Sequence, residues 1–355
     1  MSDGPTFSHV EFCVGDATAR AGDMVRRYGF EVVAKAGAPG RGDAHSIAVR
    51  SGRTTVVMTE GHTDDHPASL YVSLHGDGVS DIAIRVPDVR RALATAVDAG
   101  ARVLAEPRTL DEPAGAVTAR IAAFGDVAHT LVQSPEGAEP PGLRPVPRRT
   151  GHRGARLDRL DHFAVCLPAG MLDDTVRFYQ DVLGFEPVFE ERIVIGSQAM
   201  NSRVVQSRSR ELTMVLIEPD TTTEAGQVDD FVKDHGGPGV QHIALTSDDI
   251  VGTVAALRER GVEFLSTPDT YYELLATRLD PTGYTVAELR EQNVLVDQDH
   301  DGQLFQIFTR SVHARRTFFF EVIERMGAKT FGSGNIKALY EAVELERVRR
   351  RDGGR

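Results

Sequence analysis

Cysteine is scarce in this chain of 355 residues: only Cys13 and Cys166 occur. Two thiols cannot build the cross-linked framework of a small secreted domain, so a reducing compartment fits. The opening Met1-Ser2-Asp3-Gly4-Pro5 lacks a basic region followed by an apolar segment, so no secretory signal is expected. No apolar run is long enough to span a bilayer, so the expected location is cytoplasmic. Positive charge is short as well. A net charge of -12 leaves no basic footprint for nucleic-acid phosphates. The local run Arg347, Arg349, Arg350 and Arg351 reads as a solvated helix end.

What is present is an ordinary globular composition, 41% hydrophobic and 26% charged, over a length comfortable for two domains. The chain is also written twice. His9-Val10-Glu11-Phe12-Cys13-Val14, a helical stretch and Tyr28-Gly29-Phe30 are echoed by His162-Phe163-Ala164-Val165-Cys166-Leu167, a helical stretch and Leu183-Gly184-Phe185. A second pair runs from Gly78-Val79-Ser80-Asp81-Ile82-Ala83 to Ala99-Gly100, and from Gly239-Val240-Gln241-His242-Ile243-Ala244 to Arg260-Gly261. Each unit reads as a strand, a helix stopped by glycine, and further strands. A stretch of prolines, glycines and arginines separates the halves and cannot bury a core. The expected organisation is an N-terminal domain over 1–135, a linker over 136–157 and a C-terminal domain over 158–355. Each cysteine holds the same place in its half, and both are expected to be buried.

Three polar residues interrupt strand-like runs in the second half: His162, His242 and Glu321. Side chains alternate along a strand, so His162 shares a face with Ala164, and His242 with Ala244. A small neighbour leaves room beside each imidazole. Glu321 follows Phe318-Phe319-Phe320, and a carboxylate buried there needs a partner or a metal. Two imidazoles and a carboxylate suit a non-haem iron(II) site with open positions. In the first half the corresponding residues are His9, Asp81 and about Thr130, so the frame is kept without the ligand set. That half reads as structural or oligomer-forming.

The motifs Asp161-His162, Gly239-Val240-Gln241-His242, Gln303-Leu304-Phe305-Gln306-Ile307-Phe308, Phe319-Phe320-Glu321-Val322-Ile323-Glu324-Arg325 and Phe331-Gly332-Ser333-Gly334-Asn335-Ile336 extend the pattern. Together they resemble the family of 4-hydroxyphenylpyruvate dioxygenase and 4-hydroxymandelate synthase, of the vicinal oxygen chelate superfamily. The resemblance spans nearly the whole chain. It implies an α+β fold of two tandem domains, each a pair of βαβββ modules forming an open, curved, barrel-like sheet. A C-terminal helix over about 333–350 would close the active site, with Ile336, Leu339, Tyr340 and Val343 on its apolar stripe and Ser333 or Asn335 as its cap. The resemblance further implies iron(II) on His162, His242 and Glu321, with 4-hydroxyphenylpyruvate and O2 as substrates and a homodimer or homotetramer as the assembly. Ser202, Gln227, Gln306, Phe308, Phe331 and Ile336 match positions that line the family's substrate site.

Two departures bear on the product. Homogentisate-forming members typically carry phenylalanine where this chain has Ile336. They also usually show Pro-Ile-Asn-Glu-Pro where this chain has Val215-Leu216-Ile217-Glu218-Pro219. Ala199-Met200-Asn201-Ser202 likewise resembles the mandelate-forming branch. The expected reaction is therefore benzylic hydroxylation giving 4-hydroxymandelate, with homogentisate formation as the alternative. A small-molecule-binding protein without activity is the reading from a different class, and an intact ligand set argues against it.

Overall fold

The computed structural model describes residues 4–112, 115–135, 137–147 and 157–337. The first half contains β1 (Thr6–Cys13), α1 (Ala17–Tyr28), β2 (Glu31–Ala38), β3 (Arg41–Ser51), β4 (Thr54–Gly61) and α2 (Pro67–His75). It continues with β5 (Gly78–Arg85), α3 (Val89–Asp98), β6 (Val103–Leu110), β7 (Ala116–Ala122), β8 (Ala128–Gln133) and the short β9 (Arg144–Pro145). The second half repeats the plan with β10 (Leu160–Cys166), α4 (Leu172–Leu183), β11 (Glu186–Ile195), β12 (Gln198–Gln206), β13 (Thr213–Pro219) and α5 (Gln227–His235). Next come β14 (Gly239–Thr246), α6 (Ile250–Glu259), α7 (Asp269–Arg278), α8 (Val286–Gln292), β15 (Leu295–Gln298), β16 (Gln303–Phe308) and β17 (Phe319–Met326). Helices α7 and α8 have no counterpart between α3 and β6.

Each half is one mixed sheet with its first strand in the middle. The orders are β6-β7-β8-β5-β1-β4-β3-β2-β9 and β11-β12-β13-β10-β14-β17-β16-β15. Two βαβββ modules meet where β1 runs antiparallel to β5, and β10 to β14. Glycine ends the helices as the sequence reading expects: Gly29 and Gly184 close α1 and α4 at φ 72° and 66°, a left-handed conformation that costs glycine little. Residues 137–147 lie against the first sheet, with β9 paired to β2 and Arg50 bonded to Glu139 at 2.7 Å.

A single apolar core joins the halves. Phe12 meets Phe318 edge-on at 4.9 Å, Tyr28 meets Phe320 at 5.1 Å, and the Tyr179 hydroxyl bonds to the His129 ring at 3.0 Å. These contacts hold Phe318, just before β17, and Phe320 within it on one face, so Glu321 must point to the other. Cys13 and Cys166 are both free and buried, and burial alone pushes the Cys166 thiol well above its ordinary range. No helix among the described residues is long and apolar enough to cross a membrane.

Candidate metal centre

Register places the three residues. Across the second sheet His162 faces Ala244, which faces Glu321; the next row is Ala164, His242 and Phe319. Ala244 thus forms a low floor between His162 and Glu321, with His242 two residues before it on the same face. The small neighbours expected from alternation are there, and the space above them is where the polar groups converge. His162 Nε2 lies 3.5 Å and His242 Nε2 3.2 Å from Glu321 Oε2. The three side chains offer ligand atoms within 4.8 Å of one another, and His162 and Glu321 are fully buried.

Two β-bulges aim the imidazoles. The register of β10 against β14 slips between Leu160 and His162, and again between Ala164 and Val165. The extra residues are Asp161 on β10 and Gln241 on β14, each just before a histidine. A bulge frees its residue from strict alternation and redirects its side chain. His162 Nδ1 consequently donates to Asp161 Oδ1 at 2.8 Å, and His242 Nδ1 to Gln241 Oε1 at 3.3 Å. Both Nε2 atoms are left to face Glu321, the arrangement in which an outer acceptor fixes a metal-binding imidazole.

Asp161 is itself clamped. Arg325 donates to both its carboxylate oxygens, at 2.8 and 2.9 Å, a planar two-bond pair that orients as well as holds. The same guanidinium donates to the carbonyls of Ala328 and Thr330 and sits 5.0 Å over the Phe331 ring. Arg325 therefore ties the His162 support to the segment that carries Phe331.

Charge follows from these contacts. Burial disfavours charged His162, but bonds to Asp161 and Glu321 outweigh it and lift its pKa to about 9. Burial dominates at His242, whose pKa falls below the ordinary histidine value despite Glu321. Burial also works against ionised Glu321, yet the two imidazoles keep its pKa below normal. The group thus carries an ionised carboxylate, a neutral imidazole and one proton at His162 Nε2. A cation bound by all three displaces that proton. Donor type, convergence and burial all fit a divalent transition metal. A second acidic group, Asp299, His300 and Asp301, is more exposed, and Asp299 is committed to backbone N–H groups of Asp301, Gly302, Lys329 and Thr330.

Of the six expected substrate contacts, Phe308, Phe331 and Gln306 lie on the side of the sheet where this centre sits. Phe331 stands edge-on to His162 at 5.3 Å and Phe308 to His242 at 5.8 Å. Gln306 shares the Glu321 face through β16 and is buried, its Oε1 without a partner among the described residues. Gly332 explains how Gln306 fits: an added Cβ there would come within 2.3 Å of that oxygen. Ser202 is buried on β12 opposite Ile217. Ile336 packs with Ile217, Met200, Val228 and Phe231. Gln227 is exposed in the first turn of α5 and is not gathered with the others.

Sequence reasoning missed the supporting roles of Asp161, Gln241 and Arg325. A polar residue directly before each strand histidine was the available signal; the bulges that give it meaning are not written in composition. The helical cap also differs. Residues 333–337 are helical and Asn335 lies inside that turn, fully buried, its Oδ1 accepting from Tyr271 at 2.9 Å. Leu339, Tyr340 and Val343 lie outside the described residues.

The architecture and the buried triad define a tandem-repeat protein of the metal-binding type. A family profile described as Glyoxalase/Bleomycin resistance protein/Dioxygenase superfamily matches residues 6–133 and 159–287, one repeat in each half. A 4-hydroxyphenylpyruvate dioxygenase of Aspergillus fumigatus is 34% identical, over 97% of this chain and 93% of that protein. A 4-hydroxyphenylpyruvate dioxygenase of Caenorhabditis elegans is also 34% identical, covering 97% and 92%. A solved structure of a substituted 4-hydroxymandelate synthase from Streptomyces coelicolor superposes with a TM-score of 0.86 at 42% identity, covering 97% of this chain and 99% of that one. The chain belongs to this dioxygenase superfamily and, within it, to the 4-hydroxyphenylpyruvate dioxygenase and 4-hydroxymandelate synthase family.

Proposed function

We propose that the chain is an iron(II)-dependent oxygenase that converts 4-hydroxyphenylpyruvate and O2 into 4-hydroxymandelate and CO2. The observation that carries the metal assignment is the convergence of two Nε2 atoms and one carboxylate oxygen over Ala244. Bound there, iron(II) supplies the redox chemistry that lets O2 react with a 2-oxo acid, so free 2-oxoglutarate is not required. The chain's own residues bind and aim. His162, His242 and Glu321 approach from one sheet face and leave the opposite side for substrate. The unpartnered Gln306 Oε1 accepts a hydrogen bond from the substrate, whose phenol is the natural donor. Phe331 and Phe308 wall the ring, and Ser202 adds a hydroxyl. Residues 158–355 form the catalytic half, and 1–135 its support.

Product choice is geometric, because displacement of the reacting atom by about an ångström changes rates by orders of magnitude. Ile336 against Ile217 gives an aliphatic wall where homogentisate-forming relatives carry a ring and an amide. The 42% identity to the Streptomyces synthase supports the same branch. Homogentisate formation is favoured by a different observation, the 34% identity to dioxygenases along 97% of the chain. Chromatography of the aerobic product separates them: 4-hydroxymandelate is expected, and homogentisate as the main product refutes the branch. Ile336→Phe is expected to move part of the flux to the ring, and an unchanged ratio removes Ile336 as the selector.

A further inference from the structure

Four groups close a ring of contacts beside the metal centre. His162 Nδ1 donates to Asp161, and Asp161 accepts both bonds of the Arg325 fork. The Arg325 guanidinium lies 5.0 Å over the Phe331 ring, and that ring returns edge-on to His162 at 5.3 Å. Arg325 Nη1 also donates to the carbonyls of Ala328 at 3.2 Å and Thr330 at 2.7 Å. One rigid plane therefore has the carboxylate that supports His162 on one edge and the chain carrying Phe331 on the other. A planar guanidinium cannot move these donors independently.

The gripped segment is otherwise held from the side of β15 and β16. Asp299 accepts from the amides of Lys329 and Thr330, and Asp297 accepts from the amide of Gly334. Of these polar clamps, Arg325 alone leads back to β10 and its metal ligand. The segment also shapes the substrate side at two places. Phe331 is a wall, and Gly332 stands where an added Cβ would meet Gln306 Oε1 at 2.3 Å. Any shift of the segment therefore reaches both.

We propose that Arg325 is a positioning residue: it locks the Phe331 wall to the His162 side of the metal centre, so that support of the metal and placement of the substrate ring change together. The inference deepens the oxygenase reading and rests on it for the role of Phe331 as a substrate wall. Coupling of this kind is reciprocal: a locked segment that favours metal binding is itself stabilised by bound metal. Cobalt(II), added anaerobically, tests this without turnover. In the parent protein it is expected to slow amide exchange at residues 328–334 several-fold. Asp161→Ala leaves in place the carbonyls that Arg325 reaches in the segment, yet at saturating cobalt(II) the slowing is expected to vanish. An Arg325 that merely props the segment predicts parent-like slowing in this variant, and that result overturns the inference. Arg325→Lys keeps the charge without the fork. It should lower cobalt(II) affinity several-fold and shift the visible absorption of the bound ion, although Arg325 touches no ligand atom; parent-like affinity and spectrum also overturn the inference. Neither readout needs oxygen, so failure here leaves the oxygenase reading standing. Absence of O2 consumption by the iron-loaded parent protein with 4-hydroxyphenylpyruvate overturns that reading instead.

Discussion

The two halves of this molecule solve the same packing problem with opposite contents at one place. In the second sheet, the row beside Ala244 carries His162 and Glu321, and the open space is left for a cation. In the first sheet the same bulges recur, one between Phe7 and His9 and one between Glu11 and Phe12. The same positions hold His9, Asp81 and Thr130. Arg120 stands opposite Thr130 where Phe308 stands opposite Glu321. Its guanidinium bonds Asp81 Oδ2 at 2.8 Å, and Thr130 donates to Asp81 through both its amide and its hydroxyl. The first half thus closes its polar centre with a side-chain cation. The comparison teaches that one bulged scaffold aims polar groups inward in both halves, and that residue identity decides whether a side-chain cation closes the group or three ligand-type side chains converge without one.

Breaking the ligand set gives the largest expected contrast. Glu321→Ala should lose metal and oxygen consumption to background, while Thr130→Ala keeps both; metal analysis and an oxygen electrode read the difference. Support residues come next. Asp161→Ala is expected to weaken metal affinity by roughly 10–100-fold, the usual cost of removing an outer acceptor, whereas Ser8→Ala, which removes the hydroxyl 3.2 Å from His9 Nδ1 in the first half, leaves it unchanged. Affinity titrations that put the two variants level would show that the Asp161 bond is incidental.

Acid titration sharpens the contrast further. Burial outweighs Arg120 and the Thr130 bonds, lifting the pKa of Asp81 to about 6. The folded state therefore holds this proton more tightly than the unfolded chain, whose aspartates titrate near about 4. Stability from this group is present at low pH and is lost as pH rises from about 4 to 6, by on the order of 2–3 kcal/mol. Denaturant unfolding across that window should show the slope, and Asp81→Asn should flatten it. His162 behaves differently. Its raised pKa stabilises the metal-free protein below about 6.5, and that contribution fades as pH climbs through about 9. Metal takes the place of the proton, so pH 6 should weaken metal binding relative to pH 8.

Much of this was legible in the sequence. Alternation alone set His162 beside Ala164 and His242 beside Ala244, and the internal repeat mapped Asp81 and Thr130 onto His242 and Glu321; the register agrees on every count. Long-range clamps were not legible. Arg325 reaches Asp161 across 164 positions of chain, and no local pattern records such a contact. Gln227 illustrates the converse, since a motif match could not tell an exposed helix start from a pocket wall. The inserted α7 and α8 were also hidden, because the internal repeat is written only in strand edges and glycines.

Anaerobic iron(II) titration of the metal-free chain puts the central claim to its most direct test. One equivalent should bind to the parent protein and to Thr130→Ala, with none retained by Glu321→Ala. Two equivalents in the parent protein, or undiminished binding in Glu321→Ala, would contradict the assignment of a single metal to the second half.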